Sequence, residues 1–179
     1  MEVCVELSNL ARLNESHDLS AFDTGTTDVE GQSAWLRDHA LTNDQRGLTR
    51  VFVATIQGAA RVVAFVGLAP GTIARDTLPR RLRPHGTPLI IPGLLIARLA
   101  VDRTLQGQGV GRDLVLAAIG RALSAHEHAG GALIIVDAAG EKARRFYTHY
   151  RFTGITDIGG RTTRMVLPMP VAAELLKRP

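Results

Sequence analysis

The sequence predicts an α/β fold, a mixed central β-sheet flanked by helices, and three observations carry that prediction. Two runs rich in β-branched residues, "TRVFVAT" and "ARVVAFVGLA", are separated by the turn signal "IQGA" and read as a hairpin. A strand-like run, "LLIARLAV", is followed by a helical pattern and then by "GGALIIVDA", which reads as a βαβ unit. A helical segment, "GEKARRFYTHY", and a closing strand, "RTTRMVLPM", complete the alternation. A hairpin combined with βαβ units requires a sheet with both pairing senses.

Taken in order, residues 3–7 read as a short strand and are followed by a polar stretch to Gly25. Residues 28–46 read as one helix with Trp35, Leu36 and Ala40 on one side. The hairpin comes next, then an arginine- and proline-containing loop, "ARDTLPRRLRPHG". After "LLIARLAV", Gly111, Val115, Ala118, Ile119 and Ala122 recur at helical spacing and give one apolar stripe. No repeat, low-complexity tract or linker divides the chain, so residues 1–179 read as a single domain.

Composition narrows the function classes. The hydrophobic fraction is 45% and the charged fraction 21%, as in an ordinary soluble globular protein. Cys4 is the single cysteine, which excludes an internal disulfide framework and suits a reducing, cytoplasmic setting. No apolar run approaches the ~18–20 residues of a membrane span, and "MEVCVELSN" lacks the basic start of a signal peptide. Aromatics at 4% argue against a base-stacking surface. No metal site is expected: His126 and His128 stand two apart and do not share a helix face. The net charge of +4 favours a polyanionic partner or co-substrate.

The stretch "LQGQGVGRDLV" (105–115) places Gly107, Gly109 and Gly111 between a strand and a helix. Glycines there expose backbone N–H groups at the positive end of the helix dipole, where phosphate binds. It is not a P-loop, because no Gly-Lys-Ser/Thr occurs in the chain. It is not the dinucleotide fingerprint either. Counted from Gly107 the third position is Arg112, and counted from Gly109 it is Leu114.

What fits is Q-x-x-G-x-G, formed by Gln106, Gly109 and Gly111 directly after "ARLAVD". This resembles the acetyl-CoA-binding motif of the GCN5-related N-acetyltransferases (GNATs). "ARLAVDRTLQGQGVGRDLV" with "VDAAGEKARRFYTHYRF" is similar to one branch, the TacT-like toxins of type II toxin–antitoxin pairs that acetylate aminoacyl-tRNA and inhibit translation. "FDTG", "AWL", "NDQRG" and "VGLAPG" stand in the order of that branch, so the resemblance covers roughly residues 18 to 168. Three positions depart from it: Thr24 and Gly67 where relatives carry serine, and Arg151 where the last helix would end on glycine.

The resemblance implies a GNAT fold with splayed donor-binding strands and acetyl-CoA as co-substrate. Gln106, Gly107, Gln108, Gly109, Val110, Gly111 and Arg112 would hold its pyrophosphate. Leu99, Ala100 and Val101 would meet the pantetheine and the oxyanion through their backbone. Tyr147 would protonate the departing thiolate, with Tyr150 as understudy. On spacing alone, Ala143, Phe146, Tyr147 and Tyr150 form an ordinary core stripe. A phenol, ordinarily with a pKa near 10, is a proton donor at neutral pH. No general base stands out; Asp102, His85 and His39 are the candidates. An α-amine, with a pKa near 7.7–8.0, needs less help than a lysine.

Arg80, Arg81 and Arg83, with Arg37 and Arg46, are the expected tRNA contacts, because phosphate contacts position a nucleic acid without reading it. Arg50, Lys142 and Arg145 would extend them. A solubilising loop, or docking of an acidic antitoxin segment, explains the same arginines. The resemblance further implies a homodimer, and a ribbon-helix-helix antitoxin through which operator DNA would be bound. Acetylation of a small amine or protein N-terminus, and a non-catalytic CoA-binding regulator, are the rival readings.

Overall fold

Strands and helices alternate as the hydrophobic pattern requires, in a computed structural model that describes residues 7–25, 31–83, 85–158, 160 and 162–177. Cys4 and most of the strand expected at 3–7 lie outside them; within them Leu7 makes an isolated antiparallel bridge to Ile56. The elements are β1 (Ala11–Arg12), α1 (Gln32–Asp38), α2 (Ala40–Gln45), β2 (Arg50–Thr55), β3 (Val62–Ala74), β4 (Ile90–Val101), α3 (Val110–Ala129), β5 (Leu133–Ala139), α4 (Gly140–His149), β6 (Thr153–Ile158), β7 (Thr162–Pro168) and α5 (Met169–Leu176). The sheet order is β1-β2-β3-β4-β5-β7-β6. It is mixed: β4 and β5 run parallel, whereas the β1–β2, β2–β3, β5–β7 and β6–β7 pairs are antiparallel.

The chain divides into two compact units, Met1–Leu68 with Ala97–Ala117 and Ala69–Ile96 with Ala118–Pro179. Sequence alone reads as one domain because β3, β4 and α3 run through the division without a break in pattern. In the first unit the β2–β3 hairpin is in register from Arg50 opposite Leu68 to Thr55 opposite Val62, with one irregularity at Ala54/Thr55. Its core joins Phe22, Leu36, Val51, Val53 and Phe65, with Trp35 packed alongside. Phe22 meets Phe65 edge to face at 5.4 Å, and Trp35 stacks on Phe65 at 5.9 Å. The guanidinium of Arg98 covers the Trp35 ring at 5.2 Å.

In the second unit Ile73, Leu78, Ile91, Leu133, Ile135 and Val166 form the core. Gly93 is required there: a Cβ would lie 2.6 Å from the carbonyl oxygen of Leu133, its register partner on β5.

Three expectations need correction. The helix expected over 28–46 is two helices. His39, at φ −130°, leaves the helical region between them, and the Asn43 side-chain amide donates to its carbonyl at 2.9 Å. Residues 28–30 of that helix lie outside the described residues. Strand β6 and helix α5 are additional elements. β6 buries little, and α5 begins at Met169–Pro170, directly after β7, with proline in its first turn. The apolar stripe of α3 is as expected, with Val115, Ala118, Ile119 and Ala122 buried.

Candidate active site

The first part of the candidate site is the turn between β4 and α3. Asp102 ends the strand region at φ −53° and starts a single turn of 3₁₀ helix, Arg103–Leu105. Its carboxylate, 1% exposed, accepts from the Thr104 amide at 3.0 Å, the Thr104 hydroxyl at 2.6 Å and the Asp23 amide at 3.1 Å. Arg61 lies 3.7 Å away. Burial pushes this carboxyl upward, but the Thr104 bonds, the Asp23 amide and the Arg61 charge together hold it below the usual carboxylate range. Asp102 is therefore an anchored anion. Three hydrogen bonds, from Thr104 and Asp23, tie it to the backbone on either side of the turn.

Beyond Leu105 the loop is exposed from Gln106 to Gly109. Gly107 and Gly109 adopt φ of +79° and +87°, the left-handed region that glycine enters without penalty. A Cβ at either would meet nothing within 4 Å, so it is the backbone angle that selects glycine. The Gly109 carbonyl accepts from the amides of Arg112 and Asp113 and so starts α3. Gly111 and Arg112 already belong to the first turn of that helix. A helix of 20 residues begins here, and the first-turn amides of such a helix lack a carbonyl partner within it. Glycine-permitted backbone at a helix N-terminus is the ordinary chemistry of phosphate capture.

The second part is the strand leading in. The β4–β5 ladder runs from Gly93/Leu133 to Ile96/Val136 and ends there, although β4 continues to Val101 and β5 to Ala139. Ala100 is buried, and the Asp102 amide that follows donates to Val63 on β3 at 2.8 Å.

The other expected site element, in the second unit and described by itself, is α4. Tyr147 is 7% exposed and touches Phe146 at 5.2 Å and Phe152 at 5.4 Å, both edge to face. Tyr150, 8% exposed, packs on Phe146 and His149. Both rings are buried, as the core-stripe reading expects. The helix ends with the amides of Tyr150 and Phe152 donating to the Tyr147 carbonyl. Arg151 takes φ +67°, the conformation glycine would supply.

The arginines fall into different settings. Arg80 and Arg81 lie exposed in a short 3₁₀ turn, whereas half-buried Arg83 donates to the carbonyls of Leu78 at 2.6 Å and Asp76 at 2.8 Å, folding the loop on itself. Arg37 donates to the Phe22 carbonyl at 2.7 Å, and Arg46 is exposed. Arg50 is bonded to Asp44, and Arg145 to Glu141. His39 and His85 are both exposed. Among the described residues no group of three His, Cys, Asp or Glu could hold a metal, and no helix is long and apolar enough to cross a membrane.

Two features escaped the sequence reading. Thr24 is buried and bonded to Ser33 through both its amide and its hydroxyl, at 3.0 Å each. A side chain at Gly67 would come within 2.9 Å of the Thr49 methyl, which explains the glycine in place of serine. Both depend on which residues meet across the fold, for which a single sequence carries no signal.

Against this geometry stand the similarities to known proteins. A family model described as an acetyltransferase (GNAT) domain matches residues 47–153, a span that contains both the glycine loop and Tyr147. A tRNA-acetylating toxin of Mycobacterium tuberculosis (strain ATCC 25618 / H37Rv) is 38% identical over 141 residues, 79% of this chain and 81% of that protein. Three solved structures share the fold. AtaT complexed with acetyl-methionyl-tRNAfMet has a TM-score of 0.83 at 27% identity and covers 96% of this chain and 99% of that one. AtaTR bound with acetyl-CoA has a TM-score of 0.78 at 27% identity, covering 94% and 97%. A tyrosine-to-phenylalanine mutant of the AtaT toxin bound to the C-terminus of the antitoxin AtaR has a TM-score of 0.77 at 25% identity, covering 96% and 99%.

Proposed function

The chain belongs to the GNAT acetyltransferase family, and we propose that it transfers acetyl from acetyl-CoA to the α-amine of aminoacyl-tRNA and so blocks translation. The observation that carries this reading is the 38% identity to a tRNA-acetylating toxin across 79% of the chain. Residues 1–179 act as one acetyltransferase domain in the cytoplasm, where charged tRNA is found.

The residues divide the work as follows. Backbone amides of residues 106–112 hold the pyrophosphate of acetyl-CoA against the N-terminus of α3. Backbone groups of Leu99, Ala100 and Val101 orient the pantetheine and stabilise the oxyanion. The neutral α-amine attacks the thioester carbonyl, and its proton leaves to water. As the C–S bond breaks, the Tyr147 hydroxyl gives its proton to the sulfur, and the phenolate then regains a proton from water. Because the acceptor amine is partly neutral at pH 7, no base is required, which fits the anchored state of Asp102. Arg80 and Arg81 clamp tRNA phosphates, with Arg37 and Arg46 adding charge and Arg83 shaping the loop that carries the first two.

A homodimer and a ribbon-helix-helix antitoxin, itself the operator-binding subunit, complete the system. Support for an antitoxin comes from the AtaT mutant bound to the AtaR C-terminus. The test is to incubate the protein with acetyl-CoA and aminoacyl-tRNA, strip the ester with mild base and identify the released amino acid by mass spectrometry. Recovery of N-acetyl amino acid supports the reading; acetylation confined to a small amine would replace it with the first rival.

A further inference from the structure

The glutamine of the glycine loop is committed to protein rather than to ligand. The Gln106 side-chain nitrogen donates to the carbonyl of Thr24 at 3.1 Å and to that of Val101 at 3.0 Å. A primary amide has two N–H donors, and two carbonyls use both. Carbonyls only accept, so the nitrogen must be the atom facing them. The remaining oxygen offers an anion nothing.

The partner segment, residues 23–25, is joined to the same turn by further bonds. The Asp23 amide donates to Asp102 at 3.1 Å, the Arg103 amide donates to the Asp23 carbonyl at 2.7 Å, and Arg103 pairs with the Asp23 carboxylate at 3.2 Å. Thr24 then passes the connection to α1 through its two bonds to Ser33.

We infer that Gln106 is a positioning residue that clasps residues 23–25 onto the donor loop, so that the grip on the CoA pyrophosphate and the order of this segment and α1 form one coupled equilibrium. The inference rests on the donor-loop reading under Proposed function. The coupling is reciprocal: a ligand that fixes the loop amides also fixes Gln106, and through Thr24 the start of α1. Breaking the clasp leaves the glycines in place but loosens the backbone that presents the amides.

Titration calorimetry with CoA and with pantetheine, which lacks the pyrophosphate, separates positioning from folding. Gln106→Leu, similar in size but without donors, should lose about tenfold in CoA affinity while pantetheine affinity stays within about twofold. Amide exchange at Thr24, Gly25 and the first turn of α1 should slow when CoA binds the wild type and cease to respond in the variant. Should Gln106→Leu not fold, Asp23→Asn, which removes the exposed pair to Arg103, gives the same pattern at about two- to threefold. Equal loss for both ligands, or unchanged CoA affinity in the folded variants, overturns the inference. Wild-type protein that binds CoA no better than pantetheine overturns the donor-loop reading itself, and the inference with it.

Discussion

Arg164 and Asp137 face each other at one register position of β7 and β5 and share two hydrogen bonds of 2.7 Å each. The bond to Asp137 raises the guanidinium pKa further, against the opposing effect of burial. Both side chains are about a third exposed, at 32%, so solvent screens the pair and its geometry supplies most of its value. A double-mutant cycle with Arg164→Met and Asp137→Asn, read by denaturant unfolding, should give a coupling of about 1 kcal/mol. A coupling indistinguishable from zero would mean that the bidentate geometry adds no stability.

Asp44 makes stability depend on pH in the acid range. Burial works against its charge, yet the hydrogen bond and charge of Arg12, the Arg50 bond and the Val51 amide hold it below the usual carboxylate range. A carboxyl depressed in the fold stabilises it above the unfolded pKa, near 3.9, and loses that contribution as pH falls through the folded value. Asp102 adds to the same trend. Thermal melts from pH 7 to pH 3 should therefore show the gap between wild type and Asp44→Asn narrowing below about pH 4. A gap that is constant across this range would contradict the assignment.

The end of α4 carries strain that glycine would relieve. Arg151 sits at φ +67°, which costs a side-chain-bearing residue about 1 kcal/mol or more, and its pair with Glu174 at 3.6 Å is exposed and weak. Arg151→Gly should raise the melting temperature by a few degrees. A fall would mean that the Glu174 contact outweighs the backbone.

Much of this was legible in the sequence, and the exceptions share a cause. The hairpin, the α3 stripe and the glycine loop each declare themselves through local spacing, and Gly107 and Gly109 take positive φ, whereas Gly111 lies in α3. Arg151 in place of a helix-ending glycine was visible only through the family resemblance. The break at His39, the Thr24–Ser33 bonds and the Gln106 clasp were not, because each depends on a partner met only in the folded chain. Gln106 and Thr24 are 82 residues apart, a distance over which hydrophobic periodicity says nothing. Arg83 had looked equivalent to Arg80 and Arg81 by composition. Only the structure separates a guanidinium bonded to its own loop from two that are exposed.

That separation sets the electrostatic prediction. Binding of tRNA by Arg80→Ala and by Arg81→Ala should weaken, with the slope of log Kd against log salt reduced by about one in each. Arg83→Ala should lower the melting temperature as well, because two loop carbonyls lose their donor. Unchanged salt slopes in both exposed variants would remove these arginines from the tRNA interface.

The most direct measurement uses radiolabelled acetyl-CoA with pools of charged and deacylated tRNA, comparing wild type and Tyr147→Phe. The proposed chemistry predicts label on the charged pool alone. It also predicts loss of about a hundredfold or more in rate in Tyr147→Phe, with CoA binding and melting temperature preserved. Label on neither pool by a wild type that binds acetyl-CoA would contradict the tRNA acceptor. Full activity in Tyr147→Phe would contradict the acid.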